Sequence, residues 1–492
     1  MKEDILDIIS FEYASQHRIV PLQIDNGVLK LGCCTSINSN LIKELEFLTG
    51  KSIDLIQMPV DKVKEKIKSI YNKEHLLPNS EPRGSGEFTL IEKDYEEVGK
   101  KIKNEDQSSV IQLVNKIITN AIDYKASDIH IEAYENVFRI RYRLDGVLHE
   151  EMELPLEMKK LVISRFKIMA DLDIAEKRRP QDGRIRVKRG EKNIDLRVST
   201  LPTDFGEKVV LRILDKSSLN LDLQSLGFNK EQLTLVKKMI TLPYGMILVT
   251  GPTGSGKTTT LYATLNYLNT DEVNILTIED PIEYNLNGIN QSQVRYDIGY
   301  NFPNALRSFL RQDPDIIMVG EIRDADTAEI AVRAALTGHL VLSTLHTNNA
   351  PETITRLIDM KQEPFLISSS VKLIIAQRLV RIICRNCKDI DNSRESRIKL
   401  KKTIGYDSDD LTLYQGKGCE KCNHTGYTGR TAIFEVMVIT KNIAKKIHAG
   451  VSTEELFSIA REEGMNSLQQ NGIEKLKAGI TTVEEVLRTT EF

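Results

Sequence analysis

Residues 246–260 read MILVTGPTGSGKTTT, and this stretch more than any other dictates what the chain can fold into. A run of buried-strand type passes directly into GxxxxGK[ST], with Gly251, Gly256, Lys257 and Thr258 on pattern. Glycines there let backbone N–H groups converge on phosphate oxygens, and the N-terminus of the following helix adds positive potential. Lys257 then reaches the β- and γ-phosphates and Thr258 is placed to ligate Mg2+. The nucleotide-binding segment is accordingly Gly251, Pro252, Thr253, Gly254, Ser255, Gly256, Lys257, Thr258 and Thr259. ATP is favoured over GTP, because no N/TKxD-type guanine signature stands near the end of the sheet.

A strand that feeds such a loop belongs to an α/β domain, and the surrounding text agrees. The β-rich runs MILVT, NILTIED, IIMVGE and HLVLST alternate with helical stretches such as TAEIAVRAAL, the pattern of a mostly parallel sheet. This core is assigned to 226–380. Before it, apolar periodicity at Val110, Val114, Ile117 and Ala121 leads into the alternating SDIHIEA and VFRIRYRLDG, a second α+β, PAS-like domain over 107–225. LLPNSEPRGSGEF and the charge after it have linker composition, placed at 76–106. Residues 1–75, with the lysine-rich helical pattern DKVKEKIKSIYN, form a small α+β module expected to bind a partner. A cysteine-bearing segment is placed at 381–430 and a helical end at 431–492. No period of 20 to 50 residues repeats, which sets solenoids aside.

Charge narrows the partners. With 67 basic and 70 acidic residues and a net charge of −3, no global basic field recruits nucleic acid, and none is expected as a direct ligand. MKEDILDIIS has acids where a signal peptide needs basic residues, and the longest apolar runs fall far short of the ~18 residues of a spanning helix. A cytoplasmic location is expected, with peripheral membrane association through partners.

Hydrolysis needs a group that orients water and groups that neutralise the transition state. Asp315-Ile-Ile-Met-Val-Gly-Glu321 is an apolar strand ending in a carboxylate, so Glu321 is expected to polarise the water or sit near Mg2+. Thr277-Ile-Glu-Asp-Pro-Ile-Glu283 ends another strand with Glu279, Asp280 and Glu283, read as part of the site, a solvated acidic loop being the alternative. In GHLVLSTLHTN, His339 and His346 stand seven residues apart around a strand. An odd separation on a strand points side chains to opposite faces, which argues against one shared metal.

Metal chemistry falls instead to four of the six cysteines. Cys384, Cys387, Cys419 and Cys422 form two C-x₂-C pairs separated by a long loop, and four thiolates suit a closed tetrahedral Zn2+ site of structural type. Reduced or redox thiols are the alternative, since the loop exceeds the common ribbon spacing. Cys33 and Cys34 read as small core residues, and Asp128, His130 and Glu132 alternate on one strand face.

Taken together, GPTGSGKTTT, TIEDPIE, LRSFLRQDPDIIMVGEIRDADTAEIAVRAALTGHLVLSTLHTN, AQRLVRIIC, ASDIHIE, RRPQDGRI, LRVSTLPTDFGEKVVLRIL and GYTGRTAIFEVM resemble, in order, the secretion ATPases of type II secretion and type IV pilus assembly. The resemblance covers about residues 107–490 and, more loosely, 1–75. It implies a RecA-like ATPase core within a homohexamer, nucleotide held between the second domain and the core, and an inner-membrane platform protein with pilus or secretion components as partners. It further implies that Arg197, Arg212, Arg307 and Arg311 act at the closed interface, that Glu321 is the Walker B carboxylate, and that His339 and His346 form a histidine box reading nucleotide state. Arg212 inside VVLRIL is a charge that a buried strand would carry only with a partner, so a structural ion pair is its alternative. The tetracysteine segment resembles that of members that assemble filaments, and the work expected is extraction of pilin or pseudopilin at the cytoplasmic face of the inner membrane. The competing reading is a hexameric nucleic-acid-associated motor using its zinc ribbon on DNA, which the slight acidity disfavours. Type II secretion and type IV pilus assembly are not separable at this level.

Overall fold

The computed structural model describes residues 19–25, 28–33, 45–46, 51–59, 62–63, 66, 89–90, 105–190, 192–215, 221–406 and 411–490. They divide into two compact units, Met1–Ser85 and Gly86–Phe492. In the first, strands β1 (Ile19–Asp25), β2 (Val28–Cys33) and β3 (Ser52–Gln57) form a sheet whose buried positions include Val20, Leu29, Leu31 and Cys33. Cys34 and most of the expected linker lie outside the described residues.

The second unit begins with an antiparallel sheet of seven strands: β4 (Thr89–Leu90), β5 (Asp128–Ala133), β6 (Phe138–Leu144), β7 (Val147–Leu154), β8 (Gln181–Arg189), β9 (Lys192–Thr203) and β10 (Gly206–Asp215), in the order β4-β8-β9-β10-β5-β6-β7. Strict alternation gives it two chemically different faces. Ile129, Ile131, Phe138, Ile140, Tyr142, Leu196 and Leu211 pack with residues of the helices Glu105–Asp123 and Lys159–Met169. The register places Arg184, Arg197, Arg212, Asp128 and Arg143 in one row across β8, β9, β10, β5 and β6. Like charges directly opposite each other destabilise a sheet, so this row needs anions; Asp128 supplies one, 3.1 Å from Arg212 Nε and 3.4 Å from Arg143 Nε.

The core sheet also has seven strands: β11 (Gly245–Thr250), β12 (Ile275–Glu279), β13 (Asn290–Gln293), β14 (Ile316–Val319), β15 (Leu340–Leu345), β16 (Val371–Ile383) and β19 (Tyr427–Val438), in the order β13-β12-β14-β15-β11-β16-β19. All neighbours are parallel except β16 and β19. β11, β12, β14 and β15 are buried at every position, which is why they read as continuous apolar runs rather than alternating ones. Separate hydrophobic clusters cover the two faces, one through the helices Phe302–Phe309 and Ala325–Leu336, the other through Lys230–Ile240 and Lys257–Leu268.

Between β16 and β19 the chain carries β17 (Lys388–Ile390), the helix Arg394–Ile404 and β18 (Tyr414–Gly416). The sequence-derived boundaries at 380/381 and 430/431 fall inside β16 and β19. The cysteine-bearing segment is thus an insertion between two adjacent strands of the core sheet, and residues 431–438 belong to that sheet. Helices Lys441–His448, Thr453–Glu462, Leu468–Lys477 and Val483–Thr490 follow. Among the described residues no helix is long and apolar enough to cross a membrane.

Candidate active site and tetracysteine centre

β11 delivers the chain into the glycine loop, and the loop feeds the helix Lys257–Leu268. Gly251 has φ +146°, and a Cβ there would stand 2.5 Å from the Gln377 carbonyl oxygen. Gly256, at φ +87°, is the left-handed N-cap of the helix. Both positions need glycine for room and for conformation. Ser255 Oγ is buried and has no hydrogen-bond partner among the described residues, as suits a hydroxyl facing a phosphate oxygen. Lys257 Nζ donates to the carbonyls of Gly251 at 2.8 Å and Pro252 at 3.1 Å. Burial lowers its pKa to about 8, while Glu321 pulls it back up and Arg378 pushes it further down. Thr258 stands exposed at the mouth of the loop; its hydroxyl and the carboxylate of Glu321 are the hard oxygen donors that suit Mg2+.

Strand ends of a parallel sheet share an edge, and Glu321 emerges from β14 on the edge that carries the loop. Its Oε2 lies 2.6 Å from Arg323 Nε and 3.6 Å from His346 Nε2. Burial, then the charge of Lys257, lowers the His346 pKa below its ordinary value, so the ring is neutral at pH 7. Neutral imidazole beside a carboxylate can accept or relay a proton.

The acids after β12 separate into different environments. Glu279 is buried and accepts from Tyr262 Oη, from Thr277 Oγ1 at 2.6 Å and from Gln291 Nε2 at 3.0 Å. Three donors reach that carboxylate, and one of them, Tyr262, ties it to the helix Lys257–Leu268. Asp280 is exposed and accepts from Tyr296 Oη at 3.0 Å. Glu283 pairs with Arg197 at 3.1 Å.

The two histidines do not share a site. β15 starts after His339 and ends before His346, so the rings stand at opposite ends of the strand, about 20 Å apart at the usual rise, rather than on opposite faces of it. His339 lies beside the start of β11: its carbonyl accepts from Gly245 N–H at 3.1 Å, and its Nδ1 lies 3.0 Å from the Ala334 carbonyl. Placement there puts His339 at the end of β15 opposite to the one that leads into His346. The arginines are likewise dispersed. Arg197 reaches the acidic loop, Arg212 is paired with Asp128 and more than half exposed, and Arg307 and Arg311 are exposed and bond locally, to Asn304 and to the Arg307 carbonyl.

The four cysteines converge. Their Sγ atoms all lie within 4.8 Å of one another, with Cys384–Cys419 at 3.9 Å, Cys387–Cys422 at 3.8 Å and Cys419–Cys422 at 3.7 Å. A tetrahedron with Zn–S bonds of about 2.3 Å has edges of about 3.8 Å. Backbone N–H groups of Cys419 and Gly426 point at Cys422 Sγ, and Asn386 Nδ2 at Cys419 Sγ; such donors stabilise thiolates. The set fits Zn2+.

Comparison with known proteins decides the family. A model described as type II/IV secretion system protein matches residues 103–488, and one described as MshEN domain matches 1–76. The chain belongs to the type II/IV secretion system protein family. Among the relatives of this secretion-system protein are the type IV pilus assembly ATPase PilB of Myxococcus xanthus (strain DK1622), 46% identical over 100% of this chain and 87% of the relative, and the type II secretion system protein E of Pseudomonas aeruginosa, 45% identical over 98% and 96%. The solved structure of the pilus retraction motor PilT with bound ADP is 28% identical, with TM-score 0.52 over 77% of this chain and 96% of that one. The Legionella pneumophila ATPase DotB shares the fold, with TM-score 0.56 at 22% identity over 76% and 94%. As a member of this family the secretion-system protein is an ATP hydrolase, and the glycine loop, Lys257 and Glu321 are parts that stand at one edge of its core sheet.

Reading the sequence of this secretion-system protein missed the residues that hold those parts. Tyr262 and Gln291 satisfy Glu279, and Arg323 holds Glu321. No motif marks them. Gln377 and Arg378 did leave a signal: two polar residues inside the apolar run LIIAQRLVRII.

Proposed function

We propose that this chain forms a homohexameric motor at the cytoplasmic face of the inner membrane, where ATP hydrolysis acts through a platform protein to move pilin or pseudopilin subunits into a filament. The observation that carries the reading is the grouping of Lys257, Glu321 and His346 at one edge of the parallel sheet, with Glu321 3.6 Å from His346 and coupled electrostatically to Lys257. Lys257 draws the β- and γ-phosphates into the glycine loop, Glu321 orients the attacking water, and neutral His346 senses whether that carboxylate is engaged. Thr258 and Glu321 would hold Mg2+, which neutralises charge building on the phosphates. Arg197 and Arg212 approach from the antiparallel-sheet domain, and Arg307 and Arg311 complete the charge balance at a closed interface. Asp280 is the acid of the 279–283 cluster left open to the site. His339 acts on the far edge, as a joint between subunits or not at all. The four cysteines hold Zn2+ as a structural brace, and residues 1–75 bind a partner. Relatives named for pilus assembly and for secretion stand at similar identity, so the filament is either a type IV pilus or a pseudopilus.

The experiment traps Glu321→Gln with ATP and identifies what co-purifies. A pilus or secretion platform protein supports the reading and chooses between the two systems. Single-stranded DNA in the trap, or DNA stimulation of wild-type turnover, would replace it with the nucleic-acid motor. A monomer with full turnover would end the shared-interface mechanism.

A further inference from the structure

Two polar side chains sit next to each other inside apolar β16. Gln377 and Arg378 are 2% and 4% exposed, and adjacent residues on a strand project to opposite faces. From those faces both reach the phosphate edge of the sheet. Gln377 Nε2 donates to the Ser255 carbonyl at 2.7 Å, and its Oε1 accepts from Thr260 Oγ1 at 2.7 Å. One amide therefore grips the glycine loop and the first turn of the helix together. The carbonyl of Ser255 can only accept, so the amide has one orientation. A Cβ on Gly256 would stand 2.8 Å from that Nε2, so the loop rests directly against Gln377.

Arg378 works on the other side. Its Nη2 donates to the Asn348 carbonyl at 2.9 Å and reaches Asn348 Oδ1 at 3.4 Å, and its Nη1 would lie 3.1 Å from a Cβ on Gly251. Asn348 follows His346 by two residues. The same segment is tied to the end of β11 by the Thr347 N–H, which donates to Thr250 Oγ1 at 3.0 Å. β16 thus holds the loop that binds phosphate with one residue and the loop that carries His346 with the next.

We infer that Gln377 and Arg378 are positioning residues for ATP hydrolysis. Gln377 keeps the backbone N–H groups of the glycine loop converged for the phosphates, and Arg378 keeps His346 in register with Glu321. Neither touches nucleotide, and each acts through backbone it holds. The inference rests on the reading that Gly251–Thr258 cradles ATP.

Steady-state turnover and the affinity for a fluorescent ADP analogue test it on the full chain, with thermal melting as a fold control. Gln377→Glu turns the donor facing the Ser255 carbonyl into an acceptor and adds a negative charge behind the phosphates. It is expected to raise KM for MgATP and weaken ADP binding about tenfold or more, with a smaller effect on kcat. Thr260→Val, which removes only the bond to Gln377 Oε1, raises KM about threefold and serves if Gln377→Glu does not fold. Arg378→Met lowers kcat about tenfold or more with little change in KM, and Arg378→Lys restores part of it. Wild-type KM and ADP affinity in both Gln377→Glu and Thr260→Val overturn the role of Gln377, as does a lowered melting temperature with the kinetics unmoved. A KM effect without a kcat effect in Arg378→Met overturns that of Arg378. Lys257→Ala, measured in parallel, separates the two levels: if it retains ADP affinity, the cradle reading fails; if it loses affinity while the Gln377 and Thr260 variants bind normally, only the positioning role fails.

Discussion

The Arg197 guanidinium lies 3.1 Å from the Glu283 carboxylate and donates to the Ile282 carbonyl at 3.2 Å, tying the antiparallel-sheet domain to the acidic loop after β12. A cation expected at the phosphates is held by an acid expected at the same phosphates. Both side chains are about a quarter exposed, and pairs near the surface contribute on the order of 1 kcal/mol or less. A polyphosphate, which offers the same fork of oxygens with more charge, can therefore take the guanidinium over.

Glu283→Gln should then release Arg197 and lower KM for MgATP, by about threefold at the strength of such a pair. Arg197→Ala in that background should cancel the gain, and a double-mutant cycle on KM measures the coupling. A fall in kcat of about a hundredfold in Glu283→Gln alone would instead assign that carboxylate to the chemistry.

Tyr262→Phe removes a donor from buried Glu279 and leaves two. Loss of a hydrogen bond to a buried polar group costs about 1–3 kcal/mol, so the melting temperature should fall by a few degrees. Differential scanning calorimetry checks this. Equal stability of the variant and wild type would contradict the anchoring role.

Lys257 makes nucleotide binding depend on pH. Its pKa in the folded chain is depressed to about 8 by burial, so the free enzyme loses this cation as pH rises through that value. Bound phosphates favour the charged form and hold the proton. The expected profile has kcat/KM falling above about pH 8 while kcat stays level further up. The folded chain binds fewer protons here than the unfolded one between about 8 and 10.5, so this group adds stability as pH rises across that window. Glu321→Gln removes the partner that raises the pKa, and its ADP affinity should fall at lower pH than that of wild type.

Removing metal should act on stability before it acts on the nucleotide. Because ligation free energy is folding free energy, a strong chelator should lower the melting temperature, and Zn2+ should restore it. Cys419→Ser should reduce zinc content, whereas Lys257→Ala should leave it unchanged. Elemental analysis with melting curves reads both, and a zinc-free protein of unaltered melting temperature would reject the structural role.

The glycine loop was legible because its signature is local: nine consecutive residues from Gly251 to Thr259 lie at one strand–helix junction. The two C-x₂-C pairs were legible for a related reason, since each knuckle presents two thiols by itself, and the fold brings the two pairs within 4.8 Å of each other. Glu321 was also readable, because an apolar strand ending in an acid has one place to go in a parallel sheet. Glu279 was not. It has the same strand-end signature, and only the folded chain shows that donors from Tyr262 and Gln291, 17 and 12 residues away, reach its carboxylate. Parity on a strand argued against one metal shared by His339 and His346; it is the strand between them, Leu340–Leu345, that holds the two rings apart at its opposite ends.

What the sequence determined by itself is therefore the α/β core, the phosphate loop, the acid at the end of β14 and the cysteine set. These rest on backbone conformation and on neighbours within a few residues. Tertiary structure alone decided which acid is spent on packing, which arginine is paired with which carboxylate, that the cysteine segment is inserted between β16 and β19, and that Gln377 and Arg378 brace the site. Charged and polar groups act through their partners. Partners are chosen by register and by sheet order, which bring together segments a hundred residues apart.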